Sequence, residues 1–182
     1  MLMKTKILAI IIGVFLLNSS TVIAQENLPV KSFEIEVKAG TTYPLNNLVG
    51  SKRLGVQLGL EGRWNINHSP FDVGAEAYMG AVFRHYQGEG MSHRLLSFSV
   101  FGDYNFQREK NVSPFIGIGI GVASCSNIKG NYGTEGTSLL FSPRAGVELW
   151  RHLRLALDAR IARNGYNSVG LSIGYVFGGG LK

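Results

Sequence analysis

Ser92-His93, with Glu89 three positions before the serine, is the one cluster in this sequence that offers a nucleophile, a base and a carboxylate together. Acyl transfer needs the three in contact, with the imidazole activating the hydroxyl and the acid orienting the imidazole. Neighbours in sequence rarely meet that way, and the segment reads as a solvated loop. A lipid A-modifying enzyme is therefore an alternative only, and the expectation is no enzyme. His68, His85, His93 and His152 show no metal-ligand spacing with one another or with Cys125, so no metal site is expected. Gly117-x-Gly119-x-Gly121 has a period of two and enters no helix, whereas a dinucleotide loop spaces G-x-G-x-x-G and opens one. No cofactor is expected.

The more telling chemistry is charge at alternate positions. Glu34, Glu36, Lys38, Glu61, Arg63, Asp72, Glu76, Arg84, Asp103, Arg144, Glu148, Arg154, Asp158 and Arg160 each stand next to apolar residues on both sides or nearly so. Such alternation places charges on one face of a strand and apolar groups on the other. These side chains could pair with one another only if many strands bring their polar faces together.

Eight segments carry this period of two. They run about Lys31–Ala39, Leu54–Trp64, Phe71–Arg84, Leu95–Phe106, Pro114–Ala123, Leu139–Leu149, Leu153–Ile161 and Ser168–Phe177. The connections after the second, fourth and sixth are short: Asn65–Pro70, Gln107–Ser113 and Trp150–His152. Those after the first, third and fifth are longer or richer in glycine: Thr41–Arg53, His85–Arg94 and Ser124–Ser138. The last, Ala162–Asn167, is brief. An even strand count with short turns at one end and long loops at the other fits an up-and-down membrane barrel. The expected fold is an all-β, eight-stranded antiparallel transmembrane β-barrel. Pro143 lies within the sixth segment, where a proline loses a ladder hydrogen bond, so a bulge or a place near the rim is expected there.

Alternation alone also fits a soluble lipocalin-like barrel with its apolar face inward. The composition of the polar face argues for the inverse. Besides eight of the twelve acids and six bases, it holds mainly glycine and serine. Glycine weakens a water-facing strand, but inside a narrow barrel it leaves room for long charged side chains. Those charges must pair, because an unpaired buried ion is strongly destabilising. Between its first and last apolar residues the apolar face carries no charge; Lys31, Arg94, Arg108 and Arg163 share its parity but sit at a rim. Phe33, Trp64, Phe71, Tyr104, Phe106, Tyr175 and Phe177 fall on that face at the strand ends with short turns, with Phe83 and Phe141 near the other rim. Aromatic rings at both interfaces make the girdle of a membrane barrel.

The N-terminus reads as a secretory signal. Lys4 and Lys6 precede an apolar run from Ile7 to Leu17, then Asn18 to Ala24 ends in Val22-Ile23-Ala24. The run is shorter than the roughly 20 residues a membrane helix needs. Cleavage is expected between Ala24 and Gln25, giving a signal peptide over 1–24 and a barrel domain over 25–182. The residue after the cleavage point is Gln25 and not cysteine, so a lipid anchor is not expected. The net charge of +6 falls to +4 when Lys4 and Lys6 leave with the signal. The basic residues are scattered singly rather than clustered with aromatics, which argues against nucleic acid. Cys125 is the only cysteine, so no intrachain disulfide forms.

Together the signal, the eight strands, the Gly117-Ile118-Gly119-Ile120-Gly121 segment, Pro143-Arg144-Ala145-Gly146-Val147-Glu148 and the closing Gly174-Tyr175-Val176-Phe177 resemble the small outer-membrane β-barrel proteins, the OmpA/OmpX-like and opacity-porin-like group. The resemblance spans essentially the whole chain after the signal. It implies outer-membrane location and assembly by the barrel-insertion machinery, which reads a closing aromatic; here Phe177 precedes Gly178–Lys182. It also implies a structural or surface-interaction role, with an extracellular ligand engaged through the outer loops. A narrow porin-like channel and a soluble periplasmic lipocalin-like binder are the further alternatives.

Overall fold

A computed structural model describes residues 31–45, 53–67, 69–86, 89–107, 110–129, 132–163 and 167–178. The described residues form eight strands: β1 (Phe33–Pro44), β2 (Gly55–Asn65), β3 (Phe71–Tyr86), β4 (Glu89–Asn105), β5 (Val112–Lys129), β6 (Tyr132–Leu149), β7 (Leu153–Ala162) and β8 (Asn167–Phe177). Each pairs antiparallel with its sequence neighbours, and β8 pairs with β1, so the sheet closes into a barrel. Closure removes the free edges that an open sheet would expose in lipid.

The stagger follows from the register. Cα partners run from Ile35 to Gly62, Ala75, Val100, Ile120, Phe141, Ile161 and Asn167. Asn167 then accepts the N–H of Leu45, ten positions beyond Ile35, at 2.7 Å. That shear fixes a tilted, narrow barrel whose interior its own side chains can fill.

The strand pattern bears out the alternation, and the three short turns lie at one end. The other end differs from expectation. His85–Arg94 and Ser124–Ser138, expected as loops, are mostly strand. Arg84↔Met91, His85↔Gly90 and Tyr86↔Glu89 continue the β3–β4 ladder, and β5–β6 pairs on to Lys129↔Tyr132. β4 and β5 remain paired as far as Met91↔Lys129. Glycine and serine are poor strand formers in isolation, but a partner on each side supplies the hydrogen bonds that propensity does not. The result is a four-stranded sheet rising beyond the ends of β2 and β7. β1 likewise continues through Thr41 to Pro44, while the rest of Thr41–Arg53 lies outside the described residues, except Leu45 and Arg53 themselves.

Pro143 corrects a second expectation. It sits in mid-strand opposite Ile118, and no bulge forms. Instead the β6–β7 ladder lapses at Ser142 and Pro143 and resumes in the same register at Arg144↔Asp158. A residue without an N–H weakens the ladder locally, and the closed sheet holds the register on either side.

Candidate functional site: the lumen and its rims

Every strand buries its polar face inside the barrel and exposes its apolar face outside. Glu36, Lys38, Glu61, Arg63, Asp72, Glu76, Asp103, Arg144, Arg154, Asp158 and Arg160 are all buried, as is Glu34. Glu148 is partly buried at the same end of the lumen as Glu34. Leu58, Val100, Ile118, Leu157 and Ile173, the mid-strand apolar residues, are exposed on the outer surface. A water-soluble protein of this size does not show so continuous an apolar exterior.

The buried charges form one chain of alternating sign. Arg160 Nη2 lies 2.7 Å from Glu76 Oε1, which lies 2.6 Å from Lys38 Nζ. Lys38 Nζ is 2.5 Å from Glu61 Oε1. Arg144 forks across two acids, donating to Glu61 at 2.7 and 3.1 Å and to Asp103 at 2.6 and 2.8 Å. Asp103 also accepts from Arg154 Nη2 at 2.7 Å. Arg154 Nη1 lies 3.5 Å from Glu36, which accepts from Arg63 at 2.8 Å. Arg63 continues to Glu148 at 3.1 Å and Glu34 at 3.6 Å. Asp158 touches Arg160 Nε at 3.1 Å, and Asp72 accepts from Asn105 at 2.6 Å. Paired, forked contacts of this kind are the strong ones, and Glu36, Glu61, Glu76 and Asp103 each lean on two bases.

The ionic chain draws on β1, β2, β3, β4, β6 and β7. β5 and β8 contribute the space. A Cβ at Gly117 would strike the Asp103 carboxylate, and one at Gly174 would strike the Glu36 carboxylate. Lumen aromatics add a contact that the alternation did not reveal. The Arg144 guanidinium lies 3.7 Å from the Phe101 ring centroid, Arg154 lies 3.6 Å from Phe115, and Arg160 lies 3.4 Å from Tyr78. Guanidinium over a ring face is attractive when water is excluded. The signal was present in the sequence as aromatics on the charged parity.

A second feature was missed outright. Towards the long-strand end the lumen turns apolar: Leu95, Ala123, Cys125, Leu140 and Ala162 pack with Tyr78 into one buried cluster. Val82 lies buried on the same side of β3. These residues face inward, so the lumen is ionic along most of its length and turns apolar on the β3 to β7 side towards its outer end, with Thr42, Gln57 and His93 buried there too.

The girdle residues occupy the end with short turns. Phe33 and Trp64 pair across strands with rings 4.9 Å apart, and Phe71 and Tyr104 with rings 5.2 Å apart. Phe106 contacts Tyr104 at 4.9 Å, and Phe177 contacts Tyr175 at 4.9 Å. His152 stacks on Tyr175 at 5.7 Å. Phe83 and Phe141 are exposed towards the other end.

Ser92 and His93 follow one another on β4 and so project to opposite faces, with His93 buried against Asn127. The strand does not bring that pair together. Among the described residues no group of three histidines, cysteines or acids could hold a metal ion. Ala24 and Gln25, His68, the Gly179–Lys182 tail and the side chains of Arg84, His85 and Glu89 lie outside the described residues.

No protein-family model matches the chain, and no curated protein is similar to it in sequence. Solved structures are similar in fold. The crystal structure of Neisserial surface protein A (NspA) is 15% identical and superimposes with a TM-score of 0.65, covering 82% of this chain and 98% of that one. Ail, the attachment invasion locus protein of Yersinia pestis, in complex with the heparin analogue sucrose octasulfate, is 12% identical with a TM-score of 0.57, covering 80% and 97%. The N-terminal β-barrel domain of Pseudomonas aeruginosa OprF is 15% identical with a TM-score of 0.52, covering 81% and 99%. The chain thus has the fold of the small eight-stranded outer-membrane barrels, as the sequence pattern implies.

Proposed function

We propose that the chain is an integral outer-membrane protein that displays a β-sheet surface outside the cell over a closed, ion-paired lumen. Export would use the signal peptide, cut between Ala24 and Gln25, and assembly would use the barrel-insertion machinery. The observation that carries the surface role is the unequal height of the barrel. β3 to β6 rise as a paired sheet above the apolar belt, whereas β1, β2, β7 and β8 stop near it. Among the described residues, Val82–Tyr86 of β3 pairs only with β4, and 132–138 of β6 only with β5. Such edges and loops are where an extracellular partner would engage. Ail's complex with a heparin analogue makes sulfated glycans one ligand class to assay.

The lumen speaks against a conducting role for the same chain. Long ionic side chains fill its middle and an apolar cluster fills part of its outer end. The test combines three readouts on the purified protein. Heat-modifiable gel mobility reports a folded barrel, N-terminal sequencing should begin at Gln25, and planar bilayers should stay silent. A steady single-channel conductance would favour the porin alternative, and a chain that stays in the aqueous fraction without detergent would favour the lipocalin-like one.

A further inference from the structure

The β6–β7 turn breaks the rules that turn chemistry sets. His152 N–H donates to the Leu149 carbonyl at 3.2 Å, closing a four-residue turn. Its two central residues, Trp150 and Arg151, are both left-handed, with φ of 50° and 63°. Among the described residues they are the only non-glycine positions with positive φ. A hairpin turn with two left-handed residues is the place for Asn-Gly, and a bulky aromatic there is an outlier. Strain of this kind, once observed, directs attention to a functional reason for keeping the residue.

The turn holds its strained residues firmly. Trp150 N–H donates to the Asn111 carbonyl at 2.7 Å, and Val176 N–H donates to the His152 carbonyl at 2.7 Å, tying the turn to both neighbouring strand ends. Trp150 nonetheless remains 64% exposed, at the same end of the barrel as the girdle residues Tyr104, Tyr175 and Phe177. Among the described residues, the charges outside the lumen at this rim are basic. Lys31 and Lys110 are exposed and Arg151 is half-buried, whereas the described acids at this end, Glu34, Asp72 and Glu148, turn to the lumen.

We infer that Trp150 and Arg151 form an anchor for anionic phospholipid headgroups at the periplasmic face of the membrane. The indole, apolar with one N–H donor, suits the headgroup boundary, and basic groups beside it attract anionic lipid. The inference rests on the membrane reading of the barrel and extends it to one turn.

The test uses the full chain inserted into vesicles of phosphatidylcholine, with or without added phosphatidylglycerol. Trp64→Phe leaves Trp150 as the only tryptophan of the two. Its emission should be blue-shifted and quenched most by lipids brominated near the headgroup. Emission that iodide quenches freely and bromolipid leaves alone would overturn the anchor. The double variant Trp150→Asn, Arg151→Gly relaxes the turn and removes the contact. In pure phosphatidylcholine it should unfold at the same or a higher urea concentration than the parent. In phosphatidylglycerol vesicles the parent should gain, its folded-to-unfolded ratio rising about five-fold relative to the variant, and high salt should erase the gain. Equal ranking in both vesicles would overturn the anchor. A chain that fails to insert would overturn the membrane reading together with it, whereas an inserted chain with a water-exposed Trp150 overturns the anchor alone.

Discussion

The two ends of the lumen solve the same packing problem with opposite chemistry. From Glu34 up to Arg160 the interior is filled by ions that pair with one another, while above them Leu95, Ala123, Cys125, Leu140 and Ala162 add a cluster of apolar contact. An ionic interior is stable only when every member has partners, because each buried charge removed from water must recover its solvation from neighbours. An apolar layer has no such demand and excludes water by packing alone. The contrast shows that strand alternation reports which face a residue occupies, whereas depth along the barrel decides which chemistry that face needs.

The largest expected effect comes from breaking the ionic part. Arg144→Met leaves Glu61 and Asp103 each short of a forked partner, and unfolding in urea should show a loss of about 3–5 kcal/mol. A loss under about 1 kcal/mol would mean that water screens those acids and that the lumen is wet. Next comes the outer face. Leu157→Arg puts a charge at mid-belt and should cost roughly 2–4 kcal/mol, seen as loss of the heat-modifiable folded band. If that variant assembles like the parent, the assigned facing is wrong.

The apolar layer should give a smaller change. Leu95→Ala should cost about 2–3 kcal/mol, towards the lower part of the range for buried leucine truncation, since Tyr78 and Leu140 can lean into the space. The same variant should also make Cys125 reactive to a small maleimide, while the parent thiol, buried beside Leu95, stays inert. A parent protein alkylated as fast as the variant would remove the claim that this layer is dry. Smallest of all, Ser99→Thr beside Glu76 should change stability by less than about 1.5 kcal/mol.

How far the sequence alone leads is visible in these same elements. The polar and apolar faces were legible because charged and apolar residues alternate along β1, β2 and most of β7 and on the lower parts of β3, β4 and β6, and every lumen charge with a described side chain follows from that parity. The outer halves of β3 to β6 were not. Glycines at 88, 90, 130, 133 and 136 read as turn signals, yet cross-strand pairing carries most of those segments as sheet. The apolar layer was hidden for a related reason. At Ala81-Val82, Leu95-Leu96, Leu139-Leu140 and Ile161-Ala162 the alternation lapses into apolar doublets. A doublet looks like the end of a pattern, but here it marks the depth at which both faces become apolar. Trp150 escaped notice because it stands in a turn that carries none of the usual turn residues.

The direction in which each strand face points decides which residues meet lipid and which fill the lumen. Spin labels placed singly along Leu153–Ala162, in a Cys125→Ala background and a lipid bilayer, read that direction residue by residue. Labels at 155, 157, 159 and 161 should collide freely with oxygen and weakly with a water-soluble nickel reagent. Those at 154, 156, 158 and 160 should be shielded from both. A scan in which the odd positions are the shielded ones, and the even positions meet the aqueous reagent, would contradict it.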